Sequence, residues 1–241
     1  MNELKEKFLS GEVILIDKPL NWTSFQVVNK VRWMIKTTFG IKKIKVGHAG
    51  TLDPLASGLL ILCTGKMTKQ IEQFMSQEKE YVGTFSLGAT TPSYDLETEI
   101  NQYFPTEHID KKLLENTLTQ FRGTIDQQPP VFSALKKEGK RLYDFAREGK
   151  EIKVPSRKVT IQNFEITQIN FPEIDFKVNC SKGTYIRSLV HDFGKSLKSG
   201  AYLSALRRTR IGEHNIENAI QIEDFERSLK STETLKFMKR F

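Results

Sequence analysis

Strand-like and helix-like apolar patterns alternate irregularly along the chain, and this irregularity limits the folds that it can form. Residues 11–16 and 81–87 have the composition and alternation of strands, whereas the apolar residues between Val27 and Ile35 follow helical spacing. The sequence has no regular βαβ repeat and no glycine-rich dinucleotide-binding turn. The pattern therefore favours the α+β class, with a mixed, mostly antiparallel sheet flanked by helices.

The remaining segments extend this prediction over most of the chain. Thr23 or Ser24 is expected to cap the helix that contains Val27, and Thr184 to cap a later helix. Residues 90–104 are polar and are predicted to form a loop. Further helices are predicted at 67–75, 110–121 and 142–147, and further strands at 59–63, 159–169, 174–180 and 202–210. Because no linker divides the sequence, we expect a single domain, residues 1–241, with its core at about 11–215 and a short tail at 216–241.

The cysteine count and the apolar runs exclude several classes of protein. Only two cysteines occur, which excludes a disulfide scaffold and a cysteine zinc site. The longest apolar run, residues 55–63, is too short to cross a bilayer, and the N-terminus lacks the apolar core of a secretory signal. We therefore expect a cytoplasmic protein with no membrane partner.

The excess of basic residues has two interpretations. Lys and Arg number 37 against 29 Asp and Glu, a net charge of +8. This charge can serve solubility alone, or it can attract a polyanion such as a nucleic acid. The distribution favours a polyanion, because the cations form short clusters within segments that are predicted to fold. These clusters are Lys42–Lys45, Lys136–Lys137, Lys140–Arg141 and Arg207–Arg210.

The densest group of residues suited to catalysis is the segment Gly47–Gly58, Gly-His-Ala-Gly-Thr-Leu-Asp-Pro-Leu-Ala-Ser-Gly. It places His48 and Asp53 on a glycine-rich loop directly before a buried strand. Pro54 biases Asp53 towards an extended conformation, and the glycines allow a ligand to approach the backbone. A loop anchored by a strand is a suitable mount for a reacting carboxylate, although an isolated Asp-Pro pair is more often only a turn.

That segment resembles the His-(Gly/Ala)-Gly-Thr-Leu-Asp-Pro-x-Ala-x-Gly signature of the TruB family, the bacterial tRNA pseudouridine synthases. Other blocks of the sequence are similar to the same family and follow the same order, which makes the resemblance highly specific. These blocks are Gly11–Pro19, Lys79–Tyr81, Leu87–Asp95, Gln128–Lys136, Gly139–Ala146, Cys180–Leu189 and Leu206–Gly212.

The resemblance implies the pseudouridine synthase fold and the isomerisation of uridine to pseudouridine at position 55 in the T loop of tRNA. The base would be released from C1′ at N1, turned, and rejoined through C5. This reaction exchanges no electrons, so we expect no cofactor and no metal, and the sequence contains no nucleotide-binding or metal-ligand motif. Asp53 matches the catalytic aspartate of the family. Whether it attacks the substrate as a nucleophile or removes a proton as a base stays open.

The resemblance also implies roles for residues around the substrate. Tyr81 would stack on the flipped uracil, and Arg187 would pair with Asp53 and hold it ionised and oriented. His48 would fill the space that the flipped base leaves. The residues that match apolar pocket walls are Tyr185 and Leu206, and the candidates for phosphate contact or local support of the pocket are Lys18, Lys69, Arg207 and Arg208.

Two features of the sequence depart from the family pattern. Ala49 stands where relatives often have glycine, which matters only if that position requires a positive φ. The residues after Asn215 are too few for the C-terminal PUA domain that many relatives carry. We therefore expect a single catalytic domain with no obligate protein partner. It should recognise the T arm of tRNA by itself and accept an isolated T-arm stem-loop nearly as well as whole tRNA.

Three alternatives compete with this interpretation. A synthase of the same fold could act on another RNA, because the choice of RNA depends on loops and basic surfaces. A non-catalytic tRNA-binding or RNA-folding protein is disfavoured by the presence of Asp53, Tyr81 and Arg187 together. A glycosidase is disfavoured because Asp53 has no convincing carboxylate partner near it in the sequence.

Overall fold

The computed structural model describes residues 2–133, 135–137, 140–147 and 154–230. The chain forms two compact units, of which unit 1 contains Met1–Lys79 and Arg207–Phe241 and unit 2 contains Glu80–Leu206. The single-domain prediction is not decided by this division and stays a prediction. In the described ranges, no helix is both long and apolar enough to span a membrane.

The helices and strands are numbered in chain order. The helices are α1 (Asn2–Ser10), α2 (Ser24–Phe39), α3 (Ile71–Ser76), α4 (Lys111–Leu118), α5 (Leu142–Arg147), α6 (Ile186–Ser196) and α7 (Ile222–Lys230), with 3-10 turns at Gly65–Gln70, Thr119–Phe121 and Ile216–Asn218. The strands are β1 (Val13–Lys18), β2 (Val46–His48), β3 (Ala56–Thr64), β4 (Lys79–Leu87), β5 (Ala89–Thr90), β6 (Gln102–Tyr103), β7 (Gly123–Gln127), β8 (Lys136–Lys137), β9 (Lys140–Arg141), β10 (Arg157–Asn170), β11 (Glu173–Cys180), β12 (Ala201–Ile211) and β13 (His214–Asn215).

Strand β3 is the centre of the unit 1 sheet. Strand β1 pairs with it antiparallel, with Lys18 opposite Gly58, and β2 pairs with it antiparallel, with His48 opposite Leu62. The last residues of β12 also lie beside β3, and β13 pairs antiparallel with β12. This register places Lys18 on β1 and His48 on β2, two of the predicted site residues, beside the same strand, β3.

The side chains of β3 enter two hydrophobic clusters. Leu60 and Leu62 pack with residues of α2 and α7, whereas Leu59, Ile61 and Cys63 belong to a second cluster. All five side chains are 0% exposed. A strand that is buried on both faces needs a continuous apolar run, which is the pattern that predicted it. Burial raises the pKa of the Cys63 thiol to about 11, so this cysteine is an inert core residue.

Helix α2 confirms the predicted cap and the predicted helical spacing. Thr23 Oγ1 accepts a hydrogen bond from Gln26 N (3.0 Å), and Gln26 Oε1 accepts one from Thr23 N (2.7 Å). These reciprocal bonds form a capping box. Gly40 ends the helix with a left-handed φ of 62°. Both ends of α2 are therefore set by local sequence.

Unit 2 contains a second group of antiparallel strands. Strand β10 pairs antiparallel with both β11 and β7, and β4 lies between β11 and the first part of β12. Isolated parallel bridges also occur, such as Asp95–Leu203. The prediction of an α+β fold with a mostly antiparallel sheet is confirmed. The core of unit 2 is aromatic, with ring centroids 5.5–5.8 Å apart among Phe85, Phe121, Phe164, Phe176 and Phe193.

Several local predictions were wrong or incomplete. Helix α1 was not predicted, although Leu4 and Phe8 are one turn apart and are 7% and 0% exposed. The predicted helix at 67–75 is a 3-10 turn followed by the short α3. The predicted loop at 90–104 includes the short β5–β6 pair. Thr184 does not cap α6, because its hydroxyl donates to Ser181 O (3.0 Å), and the N-cap residue is Tyr185.

Candidate active site

The loop that carries Asp53 is held in place on both sides of that residue. Leu52 N donates to Ser24 Oγ (2.8 Å), and the same hydroxyl donates to Leu52 O (3.1 Å). Asp53 O accepts from Ala56 N (3.1 Å), which closes a turn into β3. The Asp53 side chain is half-buried. The backbone of Asp53 is thus fixed, while its side chain stays within reach of a ligand.

Lys18 holds the residue that follows Asp53. Its side chain is 0% exposed, and its Nζ donates to Trp22 O (2.5 Å), Pro19 O (2.9 Å) and Pro54 O (3.5 Å). Burial lowers the Lys18 pKa to about 8, against the opposing effect of the nearby Asp53 charge. A lysine with three backbone carbonyls around it and no exposed surface supports the loop.

Arg208 supports the same loop from β12. Its side chain is 1% exposed, Nη2 donates to Gly50 O (3.0 Å) and Nε donates to Leu59 O (2.8 Å). Of the two roles predicted for Lys18 and Arg208, local support is favoured over phosphate contact, because both cations are buried against backbone carbonyls. Ala49 is 0% exposed and does not have a positive φ, so the departure from glycine there is harmless.

Arg207 and Lys69 differ from these two buried cations. The Arg207 guanidinium holds Asp17 through two bonds, Nη1 to Oδ1 (3.0 Å) and Nη2 to Oδ2 (2.6 Å), and its side chain is 40% exposed. Gln221 Nε2 also donates to Asp17 Oδ2 (2.8 Å). Lys69 is exposed in the 3-10 turn before α3. Both residues remain candidates for contact with RNA.

His48 ends β2 and begins the loop. Burial lowers its pKa from the usual 6.5, the Arg208 charge lowers it further, and a backbone hydrogen bond with Gly50 opposes the shift. The ring is therefore neutral at pH 7. In the described part of the chain, His48 Nδ1 is buried without a hydrogen-bond partner. A neutral, half-buried ring suits the predicted stacking role better than proton transfer.

In unit 2, Arg187 lies in the first turn of α6 and is 4% exposed. Its Nη1 donates to Ser93 O (3.0 Å) and its Nη2 donates to Phe132 O (2.9 Å). Its Nε lies 3.5 Å from Oδ2 of Asp95, another buried residue. These contacts exclude an ordinary surface arginine. Asp95 was not singled out from the sequence, although it lies in a block that resembles the family.

Tyr185 is fixed by a residue that is distant in sequence. Gln127 Oε1 accepts from Tyr185 N (2.8 Å), and Gln127 Nε2 donates to Tyr185 O (3.0 Å). Gln127 is 0% exposed. The Arg157 guanidinium carbon lies 4.8 Å from the centre of the half-buried Tyr185 ring. The start of α6, which carries Arg187, is therefore held from β7 and β10.

The structure places the other two predicted residues on strands of unit 2. Tyr81 is 8% exposed on β4, and Leu206 is half-buried on β12. The stacking role of Tyr81, the wall roles of Tyr185 and Leu206, and the pairing of Arg187 with Asp53 stay predictions. Across the described residues, no group of three His, Cys, Asp or Glu side chains is arranged to hold a metal ion.

Two family models match the chain in succession. Residues 36–186 match the N-terminal domain of the TruB family pseudouridylate synthases, and residues 187–238 match the C-terminal domain of tRNA pseudouridylate synthase B. Proteins named tRNA pseudouridine synthase B are similar over nearly the whole chain. The protein from Flavobacterium johnsoniae is 61% identical over 93% of this chain and 99% of its own length. The protein from Phocaeicola vulgatus is 55% identical over 90% of this chain and 93% of its own length.

Two solved structures are also similar to the chain, at lower sequence identity. The crystal structure of a Cbf5-Nop10-Gar1 complex contains a chain that is 30% identical, with a TM-score of 0.68 over 93% of this chain and 56% of that one. The archaeal box H/ACA sRNP Nop10-Cbf5 complex gives 26% identity and a TM-score of 0.68 over 99% of this chain and 60% of that one. This chain therefore spans little more than half of those solved chains. The first family model alone covers more than half of the chain, and the chain therefore belongs to the TruB family of pseudouridylate synthases.

Proposed function

We propose that this protein isomerises uridine to pseudouridine in tRNA, at position 55 of the T loop, and that it does so in the cytoplasm without a protein partner. The observation that carries the proposal is the way in which the structure holds Asp53. Its backbone is fixed by Ser24, Lys18 and a turn into β3, while its carboxylate is half-buried. The relatives named tRNA pseudouridine synthase B support tRNA as the substrate.

The chemistry needs one well-placed carboxylate. Uridine and pseudouridine are isomers, so breaking the N1–C1′ bond and forming the C5–C1′ bond requires no outside oxidant or reductant. The hydrogen on C5 is lost to solvent, and N1 gains one. Asp53 acts on the sugar or base during this exchange, either as the nucleophile or as the base. A pre-fixed loop lowers the cost of orienting that carboxylate.

The substrate base must leave its stack before Asp53 can reach it. In our proposal Tyr81 stacks on the flipped uracil, and Tyr185 and Leu206 close the apolar sides of the pocket. Neutral His48 fills the space that the base leaves in the RNA. Arg187 keeps the catalytic carboxylate ionised and oriented, which its buried position in α6 supports.

The decisive experiment uses tRNA labelled with tritium at C5 of uridine, because forming the C5–C1′ bond releases that label. Wild-type protein should release one tritium per tRNA and leave pseudouridine at position 55. Asp53→Asn should release none while it still binds tRNA, because the amide keeps the shape of the carboxylate and loses its charge. Asp126→Asn is the matched control, since Asp126 is an exposed carboxylate that pairs with Lys158.

Two outcomes would count against the proposal. Wild-type protein that releases no tritium from any tRNA would refute the function. Tritium release at a near wild-type rate by Asp53→Asn would refute the role of Asp53 and leave the function standing.

A further inference from the structure

A basic hollow lies on unit 1, beside the start of the segment that carries Asp53. It has a volume of about 540 Å³, and its cationic lining comes from α2 and from the segment between α2 and β2. A second hollow of about 520 Å³ shares Arg32, Lys36 and Lys42 with it. The exposed Trp33 lines the second hollow. The two hollows are therefore neighbouring parts of one surface, which we call the α2 groove.

Among the described residues, no acidic side chain neutralises the cations of the α2 groove. The described residues that line the two hollows include no Asp or Glu. Arg32 donates to Asn29 Oδ1 and to Val46 O, both at 3.2 Å, and so keeps its charge uncompensated. Over the residues that the structure describes, the ion pairs involve none of the five cations Arg32, Lys36, Lys42, Lys43 and Lys45. Five unpaired cations around a concave surface favour a polyanion.

The charge of the whole chain is concentrated on the same unit. Unit 1 has 20 Lys and Arg against 13 Asp and Glu, a net charge of +7 with histidine neutral, and unit 2 has 17 against 16, a net charge of +1. Lys42, Lys43 and Lys45 are all exposed. Lysine side chains with this exposure can approach phosphates without the cost of leaving a buried ion pair.

The α2 groove is also connected directly to the Asp53 loop. Val46 and Gly47 of β2 line the larger hollow, and His48 is the next residue. Lys45 and Asp53 are eight positions apart, which allows at most about 28 Å of extended chain between them. A uridine held at Asp53 would therefore bring phosphates of its own RNA within reach of the groove.

We propose that the α2 groove binds the phosphate backbone of the double-stranded stem next to the target loop, with Arg32, Lys36, Lys42, Lys43 and Lys45 as its cationic contacts. This inference rests on the proposed function, because it names the part of the RNA that the groove holds. Phosphate contacts position a nucleic acid without reading its sequence, so the groove sets affinity and register while the chemistry stays at Asp53.

The test compares two triple variants with the same change in charge. Lys42→Gln/Lys43→Gln/Lys45→Gln removes exposed cations of the groove. The control, Lys111→Gln/Lys112→Gln/Lys158→Gln, removes exposed lysines of unit 2. Each variant is titrated with a T-arm stem-loop and with the loop sequence alone, over a series of monovalent salt concentrations, and its thermal midpoint verifies folding.

Each lost phosphate contact should weaken stem-loop binding about fivefold at 0.15 M salt, because log K changes by about 0.9 per contact for each decade of salt. The groove variant should therefore bind the stem-loop between about tenfold and a hundredfold more weakly. The slope of its log K against log salt should be smaller in magnitude by about two to three. Its affinity for the loop alone should stay within about twofold, and so should its kcat at saturating stem-loop. The control should bind both RNAs like the wild type.

Equal losses in the groove variant and the control would overturn the proposal, since net charge alone would then explain binding. An equal loss for the loop RNA and the stem-loop would also overturn it, because the groove would not be holding the stem. These readings are independent of the proposed function. If wild-type protein releases no tritium, the proposed function is refuted. The binding comparison would still show whether the α2 groove binds the stem.

Discussion

Arg187 has two carbonyl neighbours and one carboxylate neighbour within unit 2, and this geometry determines what a substitution there can retain. The guanidinium contacts Ser93 O, Phe132 O and Asp95 at the same time. A lysine would keep the charge. Its single, compact ammonium group cannot reach all three acceptors at once, as the planar guanidinium does.

We expect Arg187→Lys to lower kcat on the order of 10²-fold, because misplacing one preorganised charged donor in a closed site costs about that much. The thermal midpoint should also fall, because a buried charge loses part of its hydrogen bonding. Single-turnover tritium release measures the rate, and Arg227→Lys, at an arginine whose side chain is 78% exposed, is the control. Retention of most activity by Arg187→Lys would mean that its charge, and not its shape, is what the reaction needs.

At the residue scale, the catalytic roles of Asp53 and Arg187 stay predictions, whereas the structure does show how the basic residues are placed. A run such as Arg207–Arg208 indicates two equivalent cations, but neighbours on a strand point to opposite faces. Arg207 is 40% exposed at its side chain, whereas Arg208 is 1% exposed. The strand period was therefore a usable signal against assigning both to phosphate. The burial of Lys18 depends on carbonyls from Trp22 and Pro54, which no local pattern reveals.

At the scale of elements, β3 and β12 approach each other closely at one glycine. Gly58 has a φ of +103°, and a Cβ there would lie 2.3 Å from Arg208 O. Gly123 has a similar φ of +84°, but a Cβ there would meet nothing within 4 Å. The two positions separate the cost of backbone strain from the cost of a steric clash.

Gly123→Ala should therefore lose about 1–2 kcal/mol of unfolding free energy, from the left-handed backbone alone. Gly58→Ala should lose at least twice as much, or fail to fold, because β12 must also move away from β3. Urea unfolding of both variants measures the difference. Equal losses at the two positions would show that β3 and β12 separate easily. The close contact between Gly58 and Arg208 would then not be what holds the two strands together.

Element predictions succeeded where the signal was local. The cap and spacing of α2 come from Thr23, Gln26 and Gly40, which lie within that helix or next to it. The start of α6 depends instead on Gln127, which is 58 positions from Tyr185. A rule that searches for Ser or Thr beside a helix finds Thr184 and misses an N-cap residue, Tyr185, whose backbone is held by a distant strand. Helix α1 was missed because its two buried residues, Leu4 and Phe8, are too few to establish a period.

At the scale of the whole molecule, charge is divided unequally between the units. Nearly all of the excess lies on unit 1, with a net charge of +7 against +1 for unit 2. Unit 1 also carries Asp53 and the α2 groove. In our proposal, a net positive unit that contains the catalytic carboxylate would attract RNA towards Asp53, and this attraction would weaken as salt screens it.

We therefore expect kcat/KM on tRNA to fall steeply with monovalent salt while kcat at saturating tRNA stays nearly constant. If three to five cations contact phosphates, log kcat/KM should fall against log salt with a slope between about −3 and −5. Initial rates of tritium release at 50 to 300 mM salt measure both quantities, and circular dichroism at each concentration verifies folding. A slope near zero would mean that shape and base contacts alone bring the RNA to Asp53. A kcat that falls in parallel with kcat/KM would place the electrostatic effect in the chemical step, because binding is already saturated there.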